Sequence, residues 1–369
     1  MTRKLVTVKT ITDISPIPDA DAIEVVTVDH GWKVVVKKED HYQVGEKVLY
    51  FEVDSWVPHR IAPFLSKGRE YEGVRGERLR TIKLRGQLSQ GLVLKFECEG
   101  GISAPYQVVD GKILFSAFLM NEDKTFKHPE NEEHLAEILR VQKWEAPIPA
   151  QLSGNVKGNF PSYIPKTDEE RAQNLYTEIF EDHFGEEYEI TEKLEGTSMT
   201  VYVKDGKVGV CSRNWDLTED DSNTLWSTAK SSGLVEFLSS LGKNIALQGE
   251  LIGEGIQKNY YGIKGHRFYV FNVYDIDKGC YYFPKERITS IQLMQTVHQI
   301  GIYHVPLIIA DQKNVICKDE DAMNNLLLFA EGKSLINSQK QREGIVFKSK
   351  SSDFHFKCIS NKFLLKTGG

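Results

Sequence analysis

Apolar and polar positions alternate in short runs through the first hundred residues. Leu5–Ile11, Ile23–Val28, Trp32–Val36, Lys47–Val53 and Gly91–Phe96 are rich in β-branched and aromatic side chains, which suit a pleated, half-buried surface. Pro16-Ile17-Pro18-Asp19-Ala20-Asp21, His30-Gly31 and Val44-Gly45-Glu46 separate them with residues that preset φ or tolerate left-handed backbone. From about residue 100 to 165 the pattern weakens. Pro129, Pro147 and Pro149, with Gln151–Gly158, read there as a polar connection, and a domain boundary is expected near residue 150. Beyond it, Tyr188–Ile190, Met199–Val203, Val208–Ser212, Ile245–Ile252, Arg267–Tyr274, Ile345–Phe347 and Phe354–Ile359 predict strands. Thr167-Asp168-Glu169-Glu170 reads as a capping box opening a helix to about Ile179. Further helices are expected over Leu225–Leu241, over Pro284–Ile300 with Gly301 at its end, and over Asp319–Glu331, closed by Gly332.

These elements predict an α+β protein of two domains. Residues 1–150 would form a five-stranded barrel plus linker, and residues 151–369 a domain of antiparallel sheets and helices. The oligonucleotide-binding (OB) barrel is the commonest five-stranded type. Pro18-Asp19-Ala20-Asp21-Ala22-Ile23-Glu24-Val25 and Val44-Gly45-Glu46-Lys47-Val48 also resemble OB modules of tRNA-binding proteins.

Charged residues make up 27% of the 369-residue chain, whose net charge is -6, so any nucleic-acid surface must be a local patch. One segment qualifies. Lys67, Arg69, Arg75, Arg78, Arg80, Lys83 and Arg85 are opposed only by Glu70, Glu72 and Glu77, with Trp56, Phe64 and Tyr71 nearby as stacking candidates. A solvated charged loop is the competing reading. Cys98, Cys211, Cys280, Cys317 and Cys358 show no CxxC spacing, which predicts free thiols in a reducing compartment. No apolar signal core or membrane-length segment is evident, so a cytoplasmic or otherwise intracellular protein without a membrane partner is expected. No partner-helix stripe stands out; the oligomeric state is left open, with a monomer the expectation.

Candidate chemistry centres on Glu192-Lys193-Leu194-Glu195-Gly196-Thr197. A lysine shielded by apolar neighbours can have its pKa lowered and act as a nucleophile, although so short a pattern also arises by chance. Downstream come Ser212-Arg213-Asn214, Leu247-Gln248-Gly249-Glu250-Leu251, Phe271-Asn272-Val273-Tyr274, Glu343-Gly344-Ile345-Val346-Phe347-Lys348 and Phe356-Lys357-Cys358-Ile359. Singly, each has a plain structural explanation. In this order they resemble the signature of the covalent nucleotidyltransferases, the superfamily of ATP-dependent ligases and mRNA capping enzymes. The chain looks most like the RNA ligase 2 family, in the branch with an N-terminal OB module. Phe160-Pro161-Ser162-Tyr163-Ile164-Pro165 and the residues to Asn174 are also similar to that branch, and the likeness runs essentially end to end.

The resemblance implies an ATP-grasp-like ligase adenylylation domain that seals 3′-OH and 5′-phosphate RNA ends in RNA repair. ATP would be the AMP donor, and lysyl-AMP and RNA-adenylate the intermediates. Lys193 would attack the α-phosphorus, with Lys357 stabilising charge there. Lys357 and a divalent metal would lower the Lys193 pKa. Glu195, Glu250 and Glu343 would hold Mg²⁺ or Mn²⁺, partly through water. Glu250 is also placed on the ribose, Phe271 on adenine, Glu192 on the exocyclic amine and Arg213 on a ribose or 5′-phosphate. Arg171 and Lys348 are weaker candidates for the pyrophosphate. Three positions depart from the family pattern. Ser198 replaces an asparagine, Asn272 an aspartate, and Ile359 the second lysine of the last motif, a role Lys362 takes only if the strand ends before it. A capping guanylyltransferase or DNA ligase is disfavoured because those usually carry the OB domain after the last motif. A non-enzymatic RNA-binding protein is disfavoured because every charge needed for lysine adenylylation is present.

Overall fold

The computed structural model describes residues 4–29, 31–65, 67–145, 155–312, 316–319 and 321–367. The chain divides into two compact units, residues 1–147 with 364–369, and residues 148–363. The boundary expected near residue 150 falls at 146–154, with Pro147 and Pro149, and lies outside the described residues.

In the first unit, β1 (Val6–Pro16), β2 (Ile23–Val28), β3 (Trp32–Lys37), β4 (Lys47–Phe51) and β10 (Leu92–Leu94) form a sheet in the order β10-β4-β1-β2-β3. Every pairing is antiparallel. Alternation turns Val26, Val28, Trp32, Val34, Val48 and Tyr50 inward to a common core. The sheet curls until Val35 N–H donates to Ser89 Oγ at 3.0 Å and Tyr42 Oη to the Val93 carbonyl at 3.2 Å. This is the nearly closed five-stranded barrel expected.

The basic insertion is built of strands and is not a loop. β5 (Ser55–Pro58), β6 (Arg69–Tyr71) and β7 (Val74–Arg78) join β14 (Gln142–Lys143) in one sheet, and β8 (Thr81–Leu84) pairs with β9 (Gln87–Gln90) in a hairpin. Trp56 is buried and donates its indole N–H to the Val74 carbonyl at 2.9 Å, so it is not free to stack on a base; Phe64 is exposed. The weakly patterned stretch holds β11 (Phe96–Glu99), β12 (Tyr106–Val109), β13 (Lys112–Ser116), α1 (Pro129–Glu133) and α2 (Leu135–Leu139). Pro129 opens α1 at its first turn, where its missing N–H costs nothing.

In the second unit, one large sheet comprises β15 (Val156–Asn159), β17 (Thr197–Lys204), β18 (Lys207–Cys211), β19 (Trp215–Leu217), β20 (Ile245–Gly253), β21 (His266–Asp275), β22 (Cys280–Tyr281) and β23 (Ile302–His304). Its apolar face is covered by α3 (Thr224–Ser231), α4 (Leu234–Ser240) and α5 (Pro284–Thr296) through Trp226, Leu234, Leu238 and Ile291. A second sheet runs β24-β16-β25-β26, with β16 at Tyr188–Lys193, β24 at Leu307–Gln312, β25 at Gly344–Ser349 and β26 at His355–Ile359. α6 (Ala322–Phe329) packs on it, and α7 (Asn361–Thr367) follows β26.

Local pattern misled at three helices. The span expected from Leu225 to Leu241 is two helices broken at Gly233, whose φ of 75° belongs to the left-handed region. The helix expected from Pro284 to Ile300 ends at Thr296. Thr167–Glu170 caps no helix. This segment is extended because the Lys357 amide donates to the Glu170 carbonyl at 2.8 Å and Arg171 bridges to Lys357 in parallel; only short helical turns follow, at Ala172–Asn174 and Glu178–Asp182. Long-range pairing has overridden local propensity there.

Glu189 on β16 and Arg287 on α5 form an ion pair with side chains 1% and 2% exposed. Removing one member of such a pair strands a buried charge. Glu189→Gln is therefore expected to destabilise the protein by about 3–5 kcal/mol in urea unfolding; a change within about 0.5 kcal/mol, the size of an ordinary surface substitution, would refute that role.

Candidate active site

Lys193 ends β16, and its backbone pairs with Gly344 of β25. That register sets the nucleophile candidate beside Glu343, and Lys193 Nζ lies 2.6 Å from Glu343 Oε1. Both glycines near these acids are dictated by close approach. A Cβ at Gly344 would sit 2.1 Å from the Cys358 carbonyl oxygen, and one at Gly196 2.5 Å from that of Leu251. Gly196 thereby lets the turn after Lys193 lie against β20, where Glu250 pairs with Ser198. Across the other sheet, Val346 pairs with both Thr191 and Lys357, so Thr191, Val346 and Lys357 share a face with Lys193.

These elements enclose a cavity of 280 Å³ lined by Lys193, Glu250, Arg213, Phe271, Lys348 and Lys357, along with Glu192. Thr167, Asp168, Glu169, Thr197, Ser198, Gln257 and Val305 complete much of its wall. Of the residues singled out from sequence, Glu195 and Glu343 flank Lys193. Arg171 does not line the cavity, although its backbone bridges to Lys357. Lys362 lies in α7 and pairs with Glu331 at 2.5 Å. Asp168 and Glu169 were hidden in the supposed capping box, because only pairing with β26 brings them to the cavity. Gln257 also escaped notice, and its left-handed φ of 43° leaves no mark in the sequence.

The cavity's charges are sorted by sign. Around Lys193, burial pulls the ammonium pKa down, but Glu343, Glu250 and Glu195 outweigh it and raise the value above that of an ordinary lysine. Burial and mutual repulsion push Glu195 up to about 7 and Glu250 up to about 8, against the pull of Lys193. On the opposite side, Lys357 is lowered to about 8 by burial and by Lys193, and Lys348 to about 7 by burial and by Arg287. Glu195, Glu250 and Glu343 share Lys193, an excess of negative charge, while on the opposite side Lys357 and Lys348 stay below the ordinary lysine value even with Asp168 and Glu169 nearby.

Several contacts fix the remaining groups. Lys348 Nζ donates to the Phe271 carbonyl at 2.6 Å and to Asn272 Oδ1, and lies 5.3 Å from the Phe271 ring centroid. Asn272 also donates to Gln248 Oε1 at 3.3 Å. Glu192 accepts the Leu335 amide at 2.7 Å. Arg213 pairs with Asp168 at 2.9 Å, and Lys357 stands 4.0 Å from the same carboxylate.

Among the described residues, no three acidic, histidine or cysteine side chains close into a chelating group. The donors still fit a hard cation. Glu343 Oε2 is buried without a hydrogen bond, and Mg²⁺ or Mn²⁺ bound by one or two carboxylates keeps water in its other positions.

A lysine held among acids, facing a cationic wall beside an aromatic ring, defines a pocket for covalent nucleotidyl transfer. The RNA ligase family model matches residues 186–366, and an OB-fold domain model matches residues 5–96. Naegleria gruberi RNA ligase with PPi is 40% identical, covers 100% of this chain and 99% of its own, and superposes with a TM-score of 0.76. A lysine-to-methionine variant of that ligase with AMP and Mn gives 40% identity, 99% coverage of both chains and a TM-score of 0.77. A glutamate-to-alanine variant with ATP and Mn gives 40% identity, full coverage of both and a TM-score of 0.77. No curated protein sequence matches the chain. The chain belongs to the RNA ligase family.

The lowered pKa of Lys348 has a consequence for stability. Below about pH 7 the folded protein must carry a buried ammonium, a penalty that disappears as pH rises towards the ordinary lysine value of 10.5. Lys348→Met is expected to unfold at higher urea than the wild type at pH 7, with the gap narrowing as pH rises towards 10. A gap that is constant with pH would show that Lys348 is not strained by its burial.

Proposed function

We propose that this RNA ligase carries AMP on Lys193 and joins a 3′-OH to a 5′-phosphate in broken RNA. The protein is an ATP-dependent RNA ligase that works with a divalent metal. In the first step Lys193 Nζ, once deprotonated, bonds to the α-phosphorus of ATP while the bond to the pyrophosphate oxygen breaks. The AMP then passes to the RNA 5′-phosphate, which releases the lysine. Attack of the 3′-OH on that activated phosphate expels AMP and closes the strand. The carrying observation is the excess of carboxylates around Lys193 set opposite the buried Lys357 and Lys348. One metal–nucleotide suits both, with a cation beside Glu195, Glu250 and Glu343, and phosphates beside Lys357 and Lys348.

When bound, the divalent ion supplies countercharge to the acids and to the phosphate oxygens. With the acids so neutralised, the force holding the proton on Lys193 falls away. Phe271 offers a face for adenine. Glu192 fits as reader of its exocyclic amine, and Glu250 as a partner of the ribose hydroxyls. Arg213 fits a ribose or 5′-phosphate, while Arg171 and Lys348 fit the departing pyrophosphate less directly. In this reading, residues 1–150 are the RNA-binding module with its linker and residues 151–369 the adenylylation domain. RNA repair inside the cell by a monomer completes it. The reducing compartment agrees with five cysteines that are all free, and no described helix is long and apolar enough to cross a membrane.

Incubation with α-labelled ATP and Mn²⁺ is expected to leave label on the denatured wild type, and none on Lys193→Ala. Label on Lys193→Ala would remove the nucleophile assignment, and preference for GTP would move the function to capping chemistry. Deletion of residues 1–140 is expected to spare self-labelling and impair joining. Equal joining by the truncated protein would refute the RNA-binding assignment.

A further inference from the structure

Between Lys67 and Arg85, seven cations stand against three glutamates, an excess of four positive charges in a chain of net charge -6. Lys67 and Arg75 are exposed, and the other five cations fall into two sets. Arg69 pairs with Glu77 at 3.1 Å, and Arg78 pairs with Asp54 while lying 3.7 Å from the Trp144 ring centroid. Those two serve the sheet of the first unit. Arg80, Lys83 and Arg85 form no ion pair with any described residue, and all three are exposed.

These three cations lie on and beside a defined element. β8 and β9 pair through Thr81↔Gln90, Ile82↔Ser89, Lys83↔Leu88 and Leu84↔Gln87 and form a sheet of their own. The turn is Arg85-Gly86, with φ of 49° and 82°, the left-handed pair of a tight type I′ hairpin. The base of the hairpin is anchored. Leu88, Ser89 and Gln90 are buried, and Ser89 Oγ accepts the β3 amide that closes the barrel. The tip is bare. Ile82 and Leu84 are 46% and 38% exposed although both are aliphatic, and they alternate with Lys83 along the strand.

We infer that the Thr81–Gln90 hairpin is a basic finger that grips the phosphate backbone of the RNA substrate. This rests on the RNA ligase reading. Charge complementarity selects the occupant, because three unpaired cations on a rigid ribbon match a polyanion, and the enzyme's substrate is one. Ile82 and Leu84 then lie against sugar or base edges. The finger contributes affinity and register but no chemistry.

The test is the full-length triple variant Arg80→Gln, Lys83→Gln, Arg85→Gln, with nicked RNA duplex bearing a 5′-phosphate as probe. Self-labelling with ATP and the thermal midpoint are expected to match the wild type. RNA affinity is expected to fall at least tenfold near 0.15 M salt. The slope of log affinity against log salt should lessen by about 2–3, near 0.7–0.9 for each phosphate that the variant no longer neutralises. The variant Arg80→Lys, Arg85→Lys should recover most of the affinity. Unchanged affinity and slope would overturn the inference, as would a drop in self-labelling, which would make the hairpin a structural support. A wild type that labels itself but binds no nicked RNA sinks the finger alone, whereas a wild type that does neither sinks the ligase reading beneath it.

Discussion

The contact on which the site depends is the one between Lys193 and Glu343. An ammonium 2.6 Å from a carboxylate, with Glu250 and Glu195 adding their fields, is held in its protonated and unreactive form. Much of the second unit serves this arrangement. β16 and β25 pair in the register that faces Lys193 to Gly344, Gly196 allows the next turn to press on β20, and β20 brings Glu250. In the proposed reading, Lys193 becomes available as a nucleophile when countercharge arrives for the acids, so that binding of metal–nucleotide and activation of the amine would be one electrostatic event.

The strands and the order of the charged motifs were legible in the sequence because both are local. Val, Ile and aromatic alternation marks β2, β3, β20 and β21 nearly to the residue, and the Lys193, Glu250, Glu343 and Lys357 motifs carry their own strand contexts. What escaped was decided by partners distant in the chain. Thr167–Glu170 has good helix-starting composition, yet the backbone of β26 takes it into an extended pairing and so delivers Asp168 and Glu169 to the cavity. Trp56 looked like a stacking platform, but its indole is spent on Val74. Glu195, Glu250 and Glu343, grouped from sequence as metal holders, do converge on Lys193, and their sum exceeds the burial effect.

The first unit divides its positive charge by use. Arg69 and Arg78 are consumed by Glu77 and Asp54 in holding a small sheet together, so composition alone overstates how much of the insertion can meet a polyanion. Arg80, Lys83 and Arg85 stay on and beside the hairpin, and the same serine that closes the barrel anchors its base.

Asp168 gives the cavity a resident anion. Its carboxylate sits 2.9 Å from Arg213 and 4.0 Å from Lys357, two groups suited to phosphate. In the proposed reading, a phosphate that meets Arg213 and Lys357 does not add charge to a bare cationic wall; it competes with a carboxylate already tethered in place. Phosphate capture is thus an ion exchange, in which the displaced anion stays covalently attached and competes at fixed local concentration. That lowers the affinity for any lone phosphate and favours ligands able to engage both cations at once.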